Sequence, residues 1–186
     1  MVEKRTMSPL SNINVSGEKQ GYQFYVMRHG IAVARGDPNF PDDAKRPLTP
    51  EGKKKLKAVA RGLFRLGICV DSIISSPLVR ASETAAIIAE VLGPGVTVES
   101  SDFLRPGGSL QAFLTSLGKR ADHRSVLVVG HEPDLSEGVA SLIGNTGASF
   151  QFKKGGCCRI DFDKFPPQPP GTLVWWLTPR VMRKIG

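Results

Sequence analysis

The sequence predicts a three-layer α/β/α sandwich around a mainly parallel central sheet. Two apolar runs, Tyr22-Gln23-Phe24-Tyr25-Val26-Met27 and Ser125-Val126-Leu127-Val128-Val129-Gly130, are rich in branched and aromatic side chains and suit strands buried on both faces. Between and after them, segments of helical periodicity alternate with short strand-like segments, the pattern of a parallel sheet with crossover helices. A length of 186 residues with 40% hydrophobic content suffices for one domain with a sizeable core. Residues 1–20 stand outside the pattern. They are polar, without sustained periodicity, and are expected to form a disordered tail, which leaves 21–186 as a single domain.

Taken in order, the first strand at 22–27 is followed by a loop at 31–47 with three prolines, mixed charge and no regular pattern. Thr49-Pro50-Glu51 then offers a helix N-cap, a proline at the first helical position and an acid in the first turn, and Gly67 supplies a stop. Within this helix Leu56, Val59, Ala60, Leu63, Phe64 and Leu66 are expected to form the apolar stripe, with the lysines on the other face. A short strand at 71–75 leads to Ser76-Pro77, which restarts a helix through Leu78, Ala81, Ala85, Ile88, Ala89 and Leu92 to Gly93-Pro94-Gly95. Further strands are expected at 96–99, 125–130, 157–162 and 172–177, with helices at 109–117 and from His131-Glu132-Pro133-Asp134 to near Gly144. There is no internal repeat.

Composition excludes several classes. No apolar run approaches the roughly 18 to 20 residues that span a bilayer, and Met1-Val2-Glu3-Lys4-Arg5 is followed by no apolar stretch of a secretory signal, so a cytoplasmic location is expected. Three cysteines, Cys69 and the adjacent Cys157 and Cys158, form neither a disulfide framework nor a zinc spacing; strand packing explains the vicinal pair better than redox chemistry. Twenty-five Lys and Arg against seventeen Asp and Glu give a net charge of +8 and favour anionic partners. The basic residues are scattered, however, over Lys53, Lys54, Lys55, Lys57, Lys153, Lys154, Arg180, Arg183 and Lys184, and the few aromatics make no stacking platform, which argues against nucleic acid.

The chemistry gathers at strand ends, where open α/β sheets bind ligands. The first strand ends in Arg28-His29-Gly30, the second leads into Ser76-Pro77-Leu78-Val79-Arg80, and the strong strand ends in Gly130-His131-Glu132. Of only three histidines, His29 and His131 follow strands directly, whereas His123 lies in a polar stretch and reads as a surface residue. Arg80 would stand near the N-terminus of its helix. Two arginines and two histidines around one edge suit a tetrahedral phosphoryl dianion, with Gly30 allowing close backbone approach.

Together, Arg28-His29-Gly30, Ser76-Pro77-Leu78-Val79-Arg80-Ala81-Ser82-Glu83-Thr84-Ala85 and Gly130-His131-Glu132-Pro133 resemble the motifs of the histidine phosphatase (phosphoglycerate mutase-like) superfamily. Arg46-Pro47-Leu48-Thr49-Pro50-Glu51-Gly52 and the compact length resemble its SixA-type phosphohistidine phosphatases. The resemblance runs from about residue 22 onward and implies a phosphoglycerate mutase-like fold. It implies His29 as a nucleophile that is transiently phosphorylated, with Arg28, Arg80 and His131 as the phosphate pocket, no metal and no cofactor. Arg46 would stand at the pocket rim, or simply position the next helix. A general acid stays open among Asp102, Glu132 and Glu83; a phosphohistidine substrate relaxes the need, because its imidazole can leave already protonated. The substrate expected is a phosphohistidine-bearing protein or another bulky phosphate anion. Two alternatives remain: a phosphatase for small or nucleotide-like phosphoesters, and a non-catalytic anion- or nucleic-acid-binding domain.

Overall fold

The two dominant apolar runs become the centre of a six-stranded sheet. β1 (Tyr22–Arg28) and β4 (Ser125–Gly130) lie side by side and parallel, with Arg28 opposite Gly130 at their carboxyl ends. The remaining strands are β2 (Ser72–Ser75), β3 (Thr97–Ser100), β5 (Cys157–Phe162) and β6 (Thr172–Leu177), in the spatial order β3-β2-β4-β1-β5-β6. Three of the pairings are parallel and two antiparallel, so the sheet is mainly parallel. The computed structural model describes residues 21–117, 123–164 and 166–186; the tail expected at residues 1–20 lies outside the described residues.

Five helices complete the layers among the described residues: α1 (Pro50–Arg65), α2 (Val79–Leu92), α3 (Leu110–Ser116), α4 (Asp134–Leu142) and α5 (Pro179–Ile185). Strand alternation sends Tyr25 and Met27 to one face and Phe24 and Val26 to the other. The first face packs on Leu56, Val59, Leu63, Ala81, Ile88 and Met182 of α1, α2 and α5. The second packs on Leu110, Phe113, Leu135, Val139 and Leu142 of α3 and α4. The vicinal cysteines obey the same alternation: Cys157 and Cys158 are fully buried on opposite faces, which makes them core residues.

Thr49 caps α1 as expected, its hydroxyl accepting the Gly52 amide at 3.0 Å. Two expectations need correction. Phe64 and Leu66 do not join the stripe and are 59% and 43% exposed, because Phe64 lies about 100° around the helix from Leu63 and Leu66 is the residue that ends it. The second helix begins at Val79 and not at Ser76-Pro77. Ser76 is held extended by its amide, which donates to the Val129 carbonyl at 2.9 Å, and Leu78 is still extended as the N-cap. Sequence periodicity also missed α5, a short helix whose Met182 carbonyl takes the place where a Cβ on Gly62 would stand, so only glycine there lets it pack on α1.

Connectivity decides where a ligand can enter. From β1 the chain crosses to β2 through α1 on one face; from β4 it crosses to β5 through α4 on the other. Adjacent strands whose connections leave in opposite directions open a crevice at their carboxyl ends. That crevice lies between the residues after Arg28 and after Gly130. Among the described residues no helix is long and apolar enough to cross a membrane.

Candidate active site

Because β1 and β4 are parallel and in register, the residue following each strand falls in an equivalent place, and both are histidine. The rings of His29 and His131 stand 5.1 Å apart between centroids. They line a cavity of about 220 Å³ together with Arg28, Arg46, Arg80 and Glu132. Val33, Ala34, Arg35, Pro106 and Lys154 complete its lining.

Each group is held by its surroundings. The Gly155 amide donates to the Arg28 and His29 carbonyls at 3.0 and 3.1 Å, and the Arg28 amide donates to the Gly156 carbonyl at 3.1 Å. This segment therefore grips the strand end. The Arg28 Nη1 donates to the Phe152 carbonyl at 2.7 Å, and Phe152 is itself buried against Trp176, with ring centroids 3.9 Å apart. Arg80 is 3% exposed; its Nη1 donates to the Asp43 carbonyl at 2.7 Å and its Nη2 to Asp43 Oδ2 at 3.1 Å. Arg46 is also buried and binds Asp43 Oδ1 through Nε and Nη2 at 2.9 and 2.7 Å. Asp43, which also accepts from Arg35 Nε at 3.2 Å, thus binds three guanidinium groups of the cavity. Burial opposes its charge, but the Arg46 hydrogen bonds and the Arg80 charge outweigh that and hold its pKa down at about 2.

The protonation of His29 follows from its partner. Nδ1 lies 2.7 Å from the Gly30 carbonyl, which can only accept, so Nδ1 carries the proton and Nε2 keeps its lone pair. Desolvation lowers its pKa to about 3, and repulsion from His131, Arg80 and Arg28 acts in the same direction against the Gly30 hydrogen bond. His131 is pushed down to about 4, again chiefly by desolvation and then by Arg80. Both rings are neutral at pH 7. Desolvation raises the Glu132 pKa, against the hydrogen bond that Ser136 donates to Oε2 at 2.6 Å and the Arg28 charge.

Among the described residues, four polar groups that line the cavity have a buried atom without a partner: Arg28 Nε, Arg80 Nε, His131 Nδ1 and Glu132 Oε1. Buried polar atoms are ordinarily satisfied. Unused guanidinium N–H groups and one imidazole nitrogen, gathered around the His29 Nε2 lone pair, suit a tetrahedral anion, which Glu132 can meet only as a protonated donor. Five cationic side chains against one carboxylate along the lining give it the matching charge.

Other residues singled out from sequence lie elsewhere. Gly30 faces a neighbouring cleft; its amide donates to Thr84 Oγ1 at 3.0 Å, and a Cβ there would stand 3.2 Å from Leu48 Cδ2. Gly30 thus packs beside Leu48 and Leu56, away from the cavity that the two histidines line. The Asp102 side chain is 83% exposed and pairs with Arg105 at 2.6 Å. Glu83 accepts the Leu48 amide at 2.7 Å and the Lys53 ammonium at 2.6 Å, outside the cavity lining. Of the three carboxylates considered as acids, only Glu132 reaches the cavity. Sequence reasoning missed Asp43, Arg35 and Lys154; the one available signal for Asp43 was its spacing of three residues before Arg46. Among the described residues no group of three or more His, Cys, Asp or Glu could hold a metal ion.

The chain is similar to known proteins. The model of the histidine phosphatase superfamily (branch 1) matches residues 24–105. An uncharacterized protein of Picosynechococcus sp. is 41% identical over 138 residues, covering 72% of this chain and 81% of the relative. Phosphohistidine phosphatase SixA of Escherichia coli is 27% identical over 161 residues, covering 84% of this chain and 94% of that protein. A structure of the protein histidine phosphatase SixA complexed with tungstate matches with a TM-score of 0.74 and 26% identity, over 86% of this chain and 99% of that one.

Proposed function

Since the chain belongs to the histidine phosphatase superfamily, we propose that it is a metal-independent phosphatase that hydrolyses phosphohistidine on a protein through a phosphorylated His29. Residues 21–186 act in this reading as one catalytic domain, working in the cytoplasm. The observation that supports it most is the neutral His29 imidazole, its Nε2 lone pair free, in a cavity whose arginines retain buried unpartnered N–H groups. Similarity to a protein histidine phosphatase over nearly the whole of that enzyme supports the substrate class.

The chemistry runs in two displacements. His29 Nε2 attacks phosphorus; the bond from phosphorus to the substrate imidazole breaks, and that imidazole departs neutral, because it entered protonated. Water then attacks the phosphoryl group on His29, the new P–N bond breaks, and orthophosphate leaves. Arg28, Arg80 and Arg46 stabilise the equatorial oxygens in both steps without moving, the form of charge stabilisation that needs least reorganisation. Low imidazole pKa serves the nucleophile: neutral Nε2 is available across the physiological range.

The decisive experiment is rapid-quench labelling with a phosphohistidine peptide. An acid-labile, alkali-stable phosphoenzyme is expected in the wild type and none in His29→Ala; undiminished turnover in that variant would overturn the reading. Glu132 gives weight to a second reading, phosphatase action on small or nucleotide-like phosphoesters, since a half-buried carboxyl with a raised pKa is suited to protonating an alkoxide leaving group. Rates on phosphohistidine peptide and phosphoester side by side separate the two. For the non-catalytic alternative, a nucleic-acid binder, little support remains. Three of the four lysines on α1 are paired with carboxylates: Lys53 with Glu83, Lys55 with Glu51 and Lys57 with Glu90.

A further inference from the structure

We propose that Ser76 is a positioning residue that fixes the tautomer of His131: its hydroxyl donates to Nε2, so the ring proton sits on Nδ1 and is offered, by a neutral imidazole, to the phosphoryl oxygens. The inference rests on the phosphatase reading of the site and assigns a role to a serine outside the cavity lining.

Ser76 is fully buried where β2 ends, and its Oγ lies 2.8 Å from His131 Nε2. A hydroxyl has one proton and two lone pairs, whereas a neutral imidazole has one N–H and one lone pair. The Leu78 amide donates to Ser76 Oγ at 3.3 Å and occupies one lone pair. Among the described residues Ser76 Oγ has no other partner, so its proton has one acceptor within reach, Nε2. The opposite assignment, with Nε2–H donating to Oγ, would strand the hydroxyl proton in the interior and leave a bare lone pair on Nδ1. That nitrogen is buried without a partner. The assignment made here strands only the Nδ1–H, and an arriving phosphoryl anion satisfies it. A buried unpaired donor carries a desolvation penalty that ligand binding then relieves.

Electrostatics make the tautomer matter. Burial and the neighbouring arginines hold His131 neutral, so the ring has a single proton to place. Placed on Nε2 it would serve Ser76 and present a lone pair to an anion. Placed on Nδ1 it adds a donor to those of Arg28 and Arg80. The same logic holds across the cavity, where the Gly30 carbonyl fixes the His29 proton on Nδ1. Two neutral histidines of identical tautomer thus perform opposite tasks: one exposes the Nε2 lone pair as nucleophile, the other the Nδ1 proton as donor.

Nitrogen-15 imidazole NMR of the full chain tests this directly, with signals assigned by His29→Gln and His123→Gln. The expected spectrum has His131 Nδ1 protonated and Nε2 bare near pH 7, with the Nδ1–H further protected from exchange when inorganic phosphate is added. Ser76→Ala should populate the Nε2–H tautomer of His131 and lower kcat/KM about tenfold, the loss of one neutral hydrogen bond in the transition state. A wild-type spectrum with the proton on Nε2 overturns the proposal, as does an unchanged tautomer ratio in Ser76→Ala. The spectrum does not depend on turnover. Full activity in His29→Ala would therefore remove the phosphatase reading while leaving the tautomer assignment standing, and the two failures are distinguishable.

Discussion

Mild acid should destabilise this protein well above the pH at which its carboxylates protonate, and the reason lies in the two cavity histidines. Both have folded pKa values below the ordinary 6.5, about 3 for His29 and about 4 for His131. Below pH 6.5 the unfolded chain therefore binds protons that the folded chain refuses, and stability falls as pH falls. The contribution is fully present above about 6.5 and is lost progressively toward 4 and 3. At pH 5 the linkage relation gives a loss of about 2 kcal/mol for each ring, or about 4 kcal/mol together if they act independently. That is a large share of the ~5–15 kcal/mol by which domains are stable. Glu132 works in the other direction, since its raised folded pKa adds stability as pH falls. Asp43, held near 2, loses its contribution only below about 4. Between pH 5 and 7.5 Asp43 contributes no slope, and measuring in the Glu132→Gln background removes the opposing contribution of that carboxyl. Urea unfolding, followed by fluorescence of Trp175 and Trp176 on β6, measures the free energy at each pH. His29→Asn should remove about half of the slope, and saturating orthophosphate should raise stability at every pH by binding only the folded state. A free energy constant within about 0.5 kcal/mol from pH 7.5 to 5, against the calculated loss, would refute the argument that these rings are desolvated neutral bases.

Glu132→Gln should lower turnover of a phosphoester by about 10²-fold, the usual worth of a positioned general acid, while a phosphohistidine peptide loses less than about tenfold because its leaving group arrives protonated. Equal losses in steady-state kinetics would show that Glu132 does not act as the acid. Glu83→Ala strips the acceptor from the buried Leu48 amide and from Lys53, and should cost about 1–3 kcal/mol in urea unfolding. Its kcat should stay within about twofold of wild type, since an acid at Glu83 would instead be worth about 10²-fold or more.

Much of the molecule was legible in the amino-acid order because it is governed by local rules. Periodicity and punctuation marked all six strands and four of the five helices found among the described residues. Residue type at strand ends marked Arg28, His29, Arg80 and His131, since a scarce imidazole placed twice after a buried strand is a pattern that sequence can display. Where local rules compete, the sequence misled. Ser76 looked like a helix start but is claimed by the sheet through Val129, and Phe64 shares the stripe's hydrophobicity but not its side of the helix. Four decisions belonged to the tertiary structure. It placed Glu132, and not Asp102 or Glu83, along the cavity, delivered Asp43 from a patternless loop to three arginines, set Gly30 beside Leu48 in a neighbouring cleft, and paired Ser76 with His131. They depend on groups far apart in the chain, such as Asp43 and Arg80 at a separation of 37 or Ser76 and His131 at a separation of 55. Desolvation and hydrogen-bond partnership, the two effects that set protonation here, are properties of that assembled neighbourhood and of no single stretch of chain.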